Sequence, residues 1–218
     1  MKIDPASLDA KEVHELLMGC VTPRPIAFVS TIGENGVYNI APFSCVTLMS
    51  MNPAIVGFAI GRRRGGVKKD TLINIEHSRD FVVNVVSESI AQAMNQAAGD
   101  YPIDVDEFKE AGLTPTASDL VQSPRVAESP IHLECRLMQV MEFGTSPRIH
   151  NFIVGEIILV HVQDDLLVEG VIKADRINAI GRLGEDFYCR TQDVFEMKRP
   201  LLPPVQKPPP AVHDSLRN

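Results

Sequence analysis

Residues 26–47 read Ile-Ala-Phe-Val-Ser-Thr-Ile-Gly-Glu-Asn-Gly-Val-Tyr-Asn-Ile-Ala-Pro-Phe-Ser-Cys-Val-Thr. β-Branched and aromatic residues fill Ile26 to Ile32 and Val37 to Thr47. Between them Gly33-Glu34-Asn35-Gly36 supplies the residues that tolerate a tight reversal. The pattern predicts a β-hairpin closed by an Asn-Gly turn.

Outward from this hairpin, strands dominate. Ala54 to Ile60 is apolar enough for a strand buried on both faces, and Phe81 to Val86 reads as another. Ile131 to Met141 and His150 to Val162 form two long strands. The short polar link Glu142 to Arg148 makes them antiparallel neighbours, and a last strand is predicted over Phe187 to Arg190. Helices are inserted between strands rather than alternating with them. Residues 9–19 place Val13, Leu16 and Leu17 on one helical face, with Ser7 or Asp9 as cap and Gly19 as stop. A short helix starts near Asp70-Thr71, and Glu88 to Ala98 carries Ile90, Ala91 and Met94 on one side. Residues 99–130 read as loops, with Asp104, Asp106 and Glu107 as a solvated acidic turn. The fold class is mainly β with inserted helices, an antiparallel barrel rather than a doubly wound sheet. Residues 1–199 form this domain, and the proline-rich residues 200–218 form an arm or a disordered tail.

Composition narrows the function. A net charge of −7 argues against nucleic acid as the main partner. No apolar run is long enough to cross a bilayer, and residues 1–24 lack a signal-peptide core, so no membrane role and a cytoplasmic location are expected. Cys20, Cys45, Cys135 and Cys189 are widely spaced and form no CxxC pair; buried free thiols are expected, and no metal site.

Against the acidic background, five of the eight residues from Arg62 to Lys69 are basic, and the run ends where a helix begins. Cations and unsatisfied helix N–H groups would there converge on an anion such as phosphate. It is not a Walker A loop, because Val67 stands where that motif needs lysine. On residues alone, a solvated basic loop explains the run slightly better than a phosphate site.

Several segments in fixed order then resemble the flavin reductase-like FMN-binding split-barrel family. They are Thr22-Pro-Arg-Pro-Ile-Ala-Phe-Val-Ser-Thr31, Asn39-Ile-Ala-Pro-Phe-Ser44, Lys69-Asp-Thr71 with Asn74-Ile75, and Phe81-Val-Val-Asn84. Gly155-Glu156, Arg182-Leu-Gly184 and Tyr188 complete the set, which spans residues 22–190. The resemblance implies a split β-barrel, a homodimer and one FMN per subunit near the subunit interface. It implies that Arg24 and Pro25, with Asn39, Ala41, Pro42, Ser44 and Cys45, line the isoalloxazine ring. Lys69, Asp70 and Thr71 would clamp the phosphate, and Arg182 would cover the flavin or meet the partner subunit. Arg62, Arg63 and Arg64 fall outside the pattern. His150, six residues before Glu156, resembles a histidine placed near nicotinamide and flavin, as more weakly does Asn151. A histidine packed or solvent-facing at a strand start explains it equally well. For Arg24 a surface salt bridge, and for Arg182 an ordinary barrel-end arginine, are the plain alternatives.

The implied activity is an NAD(P)H-dependent flavin reductase, with NADH or NADPH as donor. The alternative is a non-enzymatic FMN-binding electron carrier without a nicotinamide site. An oxidase of the pyridoxamine phosphate oxidase kind, which shares the barrel plan, and a barrel without cofactor rank lower.

Overall fold

A computed structural model describes residues 1–146 and 148–200; most of the proline-rich tail, residues 201–218, lies outside the described residues. The hairpin at residues 26–47 is present, but its second strand is not continuous. β1 (Ala27–Ile32) pairs antiparallel with β2 (Tyr38–Phe43). The chain then bends at Ser44-Cys45 and leaves in β3 (Val46–Met51), which pairs with β4 (Ala54–Gly61). Sequence reading missed the break because both halves are equally rich in strand formers.

β5 (Asp80–Val85) follows, and a two-residue ladder, β6 (Pro115–Thr116) with β7 (Arg125–Val126), lies in the long loop after it. The hairpin of β8 (Ile131–Thr145) and β9 (Arg148–Val162) runs longer than expected, because the link read as a polar loop from Glu142 onward is itself strand, with Gly144 at φ 89° near its tip. β10 (Leu167–Val168) with β11 (Val171–Ile172), and β12 (Ile180–Arg182) with β13 (Tyr188–Arg190), close the list of strands. The main sheet has the order β2-β1-β5-β8-β9-β4-β3 and every pairing in it is antiparallel. Its two edges, β2 and β3, are consecutive in the chain. The expected barrel is thus split, with its seam at Ser44-Cys45 rather than closed by a ladder.

Side chains alternate across this sheet and both faces are covered. One face fills the barrel with Val29, Val56, Phe58, Phe81, Val83, Cys135 and Ile153, closed at one end by Leu72 and Ile75. Phe58 sits 5.4 Å from Phe43 and from Phe81, the latter edge to face. The other face of β1 and β2 sends Phe28 and Ile40 against Met94, Phe108, Val126 and Ile180.

The helices supply that cover. α1 (Ala10–Cys20) starts in a capping box between Asp9 and Glu12. α2 (Asp70–Ser78) starts where Asp70-Thr71 placed it, and the cap residue before it, Lys69, offers no side-chain cap. The segment read as a helix over Glu88 to Ala98 is a 3-10 turn leading into α3 (Ala91–Gln96). α4 (Glu107–Ala111), capped by Asp106 and stopped by Gly112 at φ 67°, was read as loop, and α5 (Ala174–Ile177) lies in a stretch the sequence left unassigned. Among the described residues, no helix is long and apolar enough to cross a membrane.

Buried polar groups pin the loop between α4 and β8. Asp80 accepts from the Ser123 hydroxyl at 2.6 Å and from the Gln122 amide at 3.0 Å. Glu134 accepts from the amides of Asp119 and Leu120 and meets His161 Nε2 at 2.7 Å. All four cysteines are free, but only Cys135 is fully buried; Cys20 and Cys45 are exposed, against expectation. Burial pushes the Cys135 thiol well above its ordinary range.

Gly155 on β9 makes room for the core. A Cβ there would run into the ring of Phe81 and stand 3.4 Å from the Arg136 carbonyl. Gly155→Ala is therefore expected to lower stability by about 1–3 kcal/mol through overpacking, read from the urea midpoint.

Candidate functional site

One large cavity, of about 1220 Å³, lies on the outer side of β2. Its walls come from β2, the start of α2, the C-terminal part of α1, the segment after α3, and the turn between β12 and β13. Arg24, Asn39, Ala41, Pro42, Ser44, Lys69, Asp70, Thr71 and Arg182 all line it. Of the residues named for a cofactor, Pro25 and Cys45 do not line it; both are exposed on the adjoining chain.

β2 is an edge strand, so Pro42, which has no N–H to give, costs no ladder there. Ala41 and Pro42 leave the backbone approachable from the cavity. Asn39, by contrast, spends its amide inside the protein. Its Oδ1 accepts from Thr71 Oγ1 at 2.9 Å and from Thr31 Oγ1 at 3.1 Å, and its Nδ2 donates to Glu107. Arg24 is likewise committed, and not to a surface salt bridge. It is 5 % exposed and donates to the carbonyls of Val21 and Leu183, both at 2.8 Å, to the carbonyl of Met18, and to Ser44 Oγ at 3.3 Å. Met18 and Val21 are at the C-terminal end of α1, where a cation is favoured. The Arg24 backbone also bridges Arg182 in both directions, which holds the β12 end against the first strand.

The start of α2 forms another part of the wall, with the features that suit an anion. Gly65 and Gly66, at φ 76° and 80°, turn the chain from β4 back toward the helix in a conformation that favours glycine. The helix has no side-chain cap, and among the described residues the amides of Asp70 and Thr71 have no partner, with Lys69 beside them. Arg63, which the sequence left without a role, braces this corner. Its Nη2 lies 2.7 Å from Asp70 and 2.8 Å from the Tyr101 carbonyl, and its Nε lies 2.7 Å from Asp100. Arg62 turns away to Glu142 at 2.9 Å. Arg182 lines the opposite wall, its guanidinium 4.5 Å over the Tyr188 ring and bonded to the Tyr188 hydroxyl.

Sequence reading also missed Glu107. Far from being a solvated acidic turn, it is 4 % exposed and lines the cavity. Its Oε2 takes the Ile40 amide at 2.6 Å and the Asn39 amide group. Burial, and after it the negative charge of Asp70, hold its pKa up at about 7, although the Ile40 bond, Arg63 and Lys69 pull the other way. The signal was present: Asp106 followed by Gly112 brackets a one-turn helix that would turn Glu107 inward.

His150 does not reach this cavity. It lies on β9 opposite Gly61, with an exposed side chain. Asn151 beside it is buried, its Oδ1 without a hydrogen-bond partner among the described residues.

Glu107 ties stability to pH. Its folded pKa is raised, so between about 4.5 and 7 the folded chain holds a proton that the unfolded chain has released, and stability falls as pH rises through that window. Glu107→Gln should remove this dependence. Relative to the parent, the variant is expected to gain on the order of 1–3 kcal/mol between pH 5 and pH 8 in urea unfolding.

Comparison with known proteins fits this architecture. A family model described as "Flavin reductase like domain" matches residues 18–179. A protein of Halalkalibacterium halodurans is 37 % identical over 204 residues, covering 93 % of this chain and 98 % of its own. Among solved structures, nitrilotriacetate monooxygenase component B from Bacillus cereus superposes with a TM-score of 0.87 at 31 % identity, covering 90 % of this chain and 98 % of that one. The Pseudomonas fluorescens 2-nitrobenzoate 2-nitroreductase does so with a TM-score of 0.84 at 31 % identity, covering 94 % and 100 %.

Proposed function

The chain belongs to the flavin reductase-like family, and we propose that it binds FMN in the cavity beside β2 and reduces it with NADH or NADPH. The observation that carries this reading is the convergence on one cavity of an uncapped helix start with its lysine, and a strand edge of small residues. A mononucleotide has complementary ends: an anionic phosphate for the first and a flat ring for the second.

The residues fit the group. The open amides of α2, Lys69 and the Thr71 backbone would hold the phosphate. Ala41 and Pro42 would let the ring lie close to β2, with Ser44 at its polar edge. Arg182, held by Tyr188, would close the far side. FMN, once bound, supplies the chemistry, accepting a hydride and passing electrons on. The protein's part is to position two rings and exclude water, which needs no catalytic triad. The cavity exceeds the roughly 300–1,000 Å³ usual for a single small ligand, which leaves space for a nicotinamide beside the flavin.

The electron-carrier reading draws support from a different observation: His150 and Asn151 stand outside the cavity, so neither is placed to orient a donor within one subunit. A homodimer is part of the proposal. Leu48, Met49 and Met51 on edge strand β3, with Met138, Met141 and Phe143 on β8, are exposed apolar side chains that a second copy would cover.

The visible spectrum tests the activity. Protein incubated with FMN is expected to turn yellow and to bleach on anaerobic addition of NADH or NADPH; bleaching by dithionite alone favours the carrier, and protein that retains no colour defeats both readings. Lys69→Ala should weaken FMN binding by about 10- to 100-fold, the worth of a charge-assisted hydrogen bond, and leave riboflavin binding unchanged. Light scattering after size exclusion at micromolar concentration should report a dimer; a monomer there would reject that part of the proposal.

A further inference from the structure

Glu107 is an odd residue to find in the wall of a site for an anion. Its two oxygens are used differently: Oε2 is consumed by Asn39 and Ile40, while Oε1 has no hydrogen-bond partner among the described residues of the cavity wall. A short chain of contacts joins it to the helix start, because Thr71 Oγ1 bonds Asn39 Oδ1 and Asn39 Nδ2 bonds Glu107. The helix that carries it is held against β2 by Phe108 packing on Tyr38 at 5.9 Å between ring centres, and the carboxylate itself by its bonds to Asn39 and Ile40.

The charges facing Glu107 are few and mostly spoken for. From α2 and the loop before it come Arg63, Lys69 and Asp70, and Arg63 is already paired with Asp70 and Asp100. β2 offers only the Tyr38 phenol, and α3 carries no charged residue. On its own helix, Lys109 pairs with Asp106, and Glu110 is exposed. The other charged or titratable groups around the cavity are His14, Glu15, Arg24, Arg182, Glu185, Asp186 and the Tyr188 phenol. Lys69 is therefore left as the principal cation to answer both a bound phosphate and Glu107. A dianion seated at the start of α2 would compete with the Glu107 carboxylate for it.

We propose that Glu107 is a proton-linked binding residue: a phosphorylated flavin enters the cavity together with a proton that Oε1 retains, so that this carboxyl is neutral as the anion arrives. The inference rests on the FMN reading above and adds to it a direction of regulation. Binding and protonation help each other, and by linkage the coupling is the same from either side. The group is poised for this, because burial already holds it near neutrality and a small added negative charge moves it across the cell's pH range. Affinity for the phosphorylated ligand then falls as pH rises above about 7. The phosphate's own second ionisation, near pH 6, strengthens binding with rising pH and is nearly complete by pH 7.5, so it cannot imitate the effect.

The experiment is titration calorimetry of the full chain with FMN and with riboflavin, from pH 6.5 to 8.5, in the parent and in Glu107→Gln. Glutamine keeps an oxygen for the Ile40 and Asn39 donors but has no charge to lose. At pH 7.5, repeating the FMN titration in buffers of different ionisation enthalpy counts the protons taken up. The parent is expected to absorb about half a proton per FMN, and its affinity to fall by about five- to tenfold relative to Glu107→Gln between pH 6.5 and 8.5. Riboflavin should show neither effect. FMN binding without proton uptake, and with the same pH slope in both proteins, overturns the inference and leaves the FMN site standing. No FMN binding at any pH sinks the site and the inference with it. Should the variant not fold, proton uptake by the parent with FMN but not riboflavin, and a carbon-13 carboxyl resonance of Glu107 that shifts toward the protonated form on adding FMN, decide the matter alone; an unshifted resonance overturns it.

Discussion

A single carboxamide, that of Asn39, joins four elements that would otherwise meet only through apolar contact. From its place on β2 it receives hydroxyls from β1 and α2 on one side and gives an N–H to α4 on the other. Buried polar groups are costly when unpaired and rigid when fully paired, so such a hub fixes where each element sits. The start of α2 and the carboxylate of α4 are both placed relative to the edge strand by this one side chain. The cavity's shape follows from it. A residue named through the family resemblance as part of the ring's lining is also the frame on which the wall is hung.

Arg24 makes the same point about charge. Its guanidinium is surrounded by carbonyl oxygens from the end of α1, the segment before β1 and the turn after β12. Each of those carbonyls would be an orphan without it. The N-terminal helix and the β12–β13 turn, far apart in sequence, are thereby drawn to the same rim. Arg63 does the equivalent work at the opposite corner, clasping α2 to the segment after α3. Arginine's fixed fork of donors suits both tasks in a way that a lysine would not. Lys69, the neighbour left outside these clasps, has no side-chain partner among the described residues.

Much of this was legible in the chain, and the failures have physical causes. The long hairpin of β8 and β9, and the pairing of β1 with β2, follow from alternation around turn residues, a signal that survives because one strand face is buried. The residues along β2 and at the start of α2 were named through the family resemblance, since on composition alone the basic run read slightly better as a solvated loop; the structure brings all of them but Pro25 and Cys45 to one cavity. What could not be read locally was partnership. Nothing near Arg63 in sequence announces Asp100, and nothing near Glu107 announces Asn39, sixty-eight positions away. Helix α4 is too short for a periodic pattern to emerge. The seam at Ser44-Cys45 was hidden because breaking a strand there changes its neighbours, not its composition.

The burial of Cys135, set against the exposure of Cys20 and Cys45, has a practical corollary. Cys20 and Cys45 meet any alkylating reagent at once and the half-buried Cys189 is partly within reach, while Cys135 is sealed in the barrel and kept in its unreactive form. It reacts only when the sheet comes apart around it. The slow phase of alkylation thus times the opening of the barrel, giving the molecule an internal clock for its own unfolding that needs no dye, tag or denaturant.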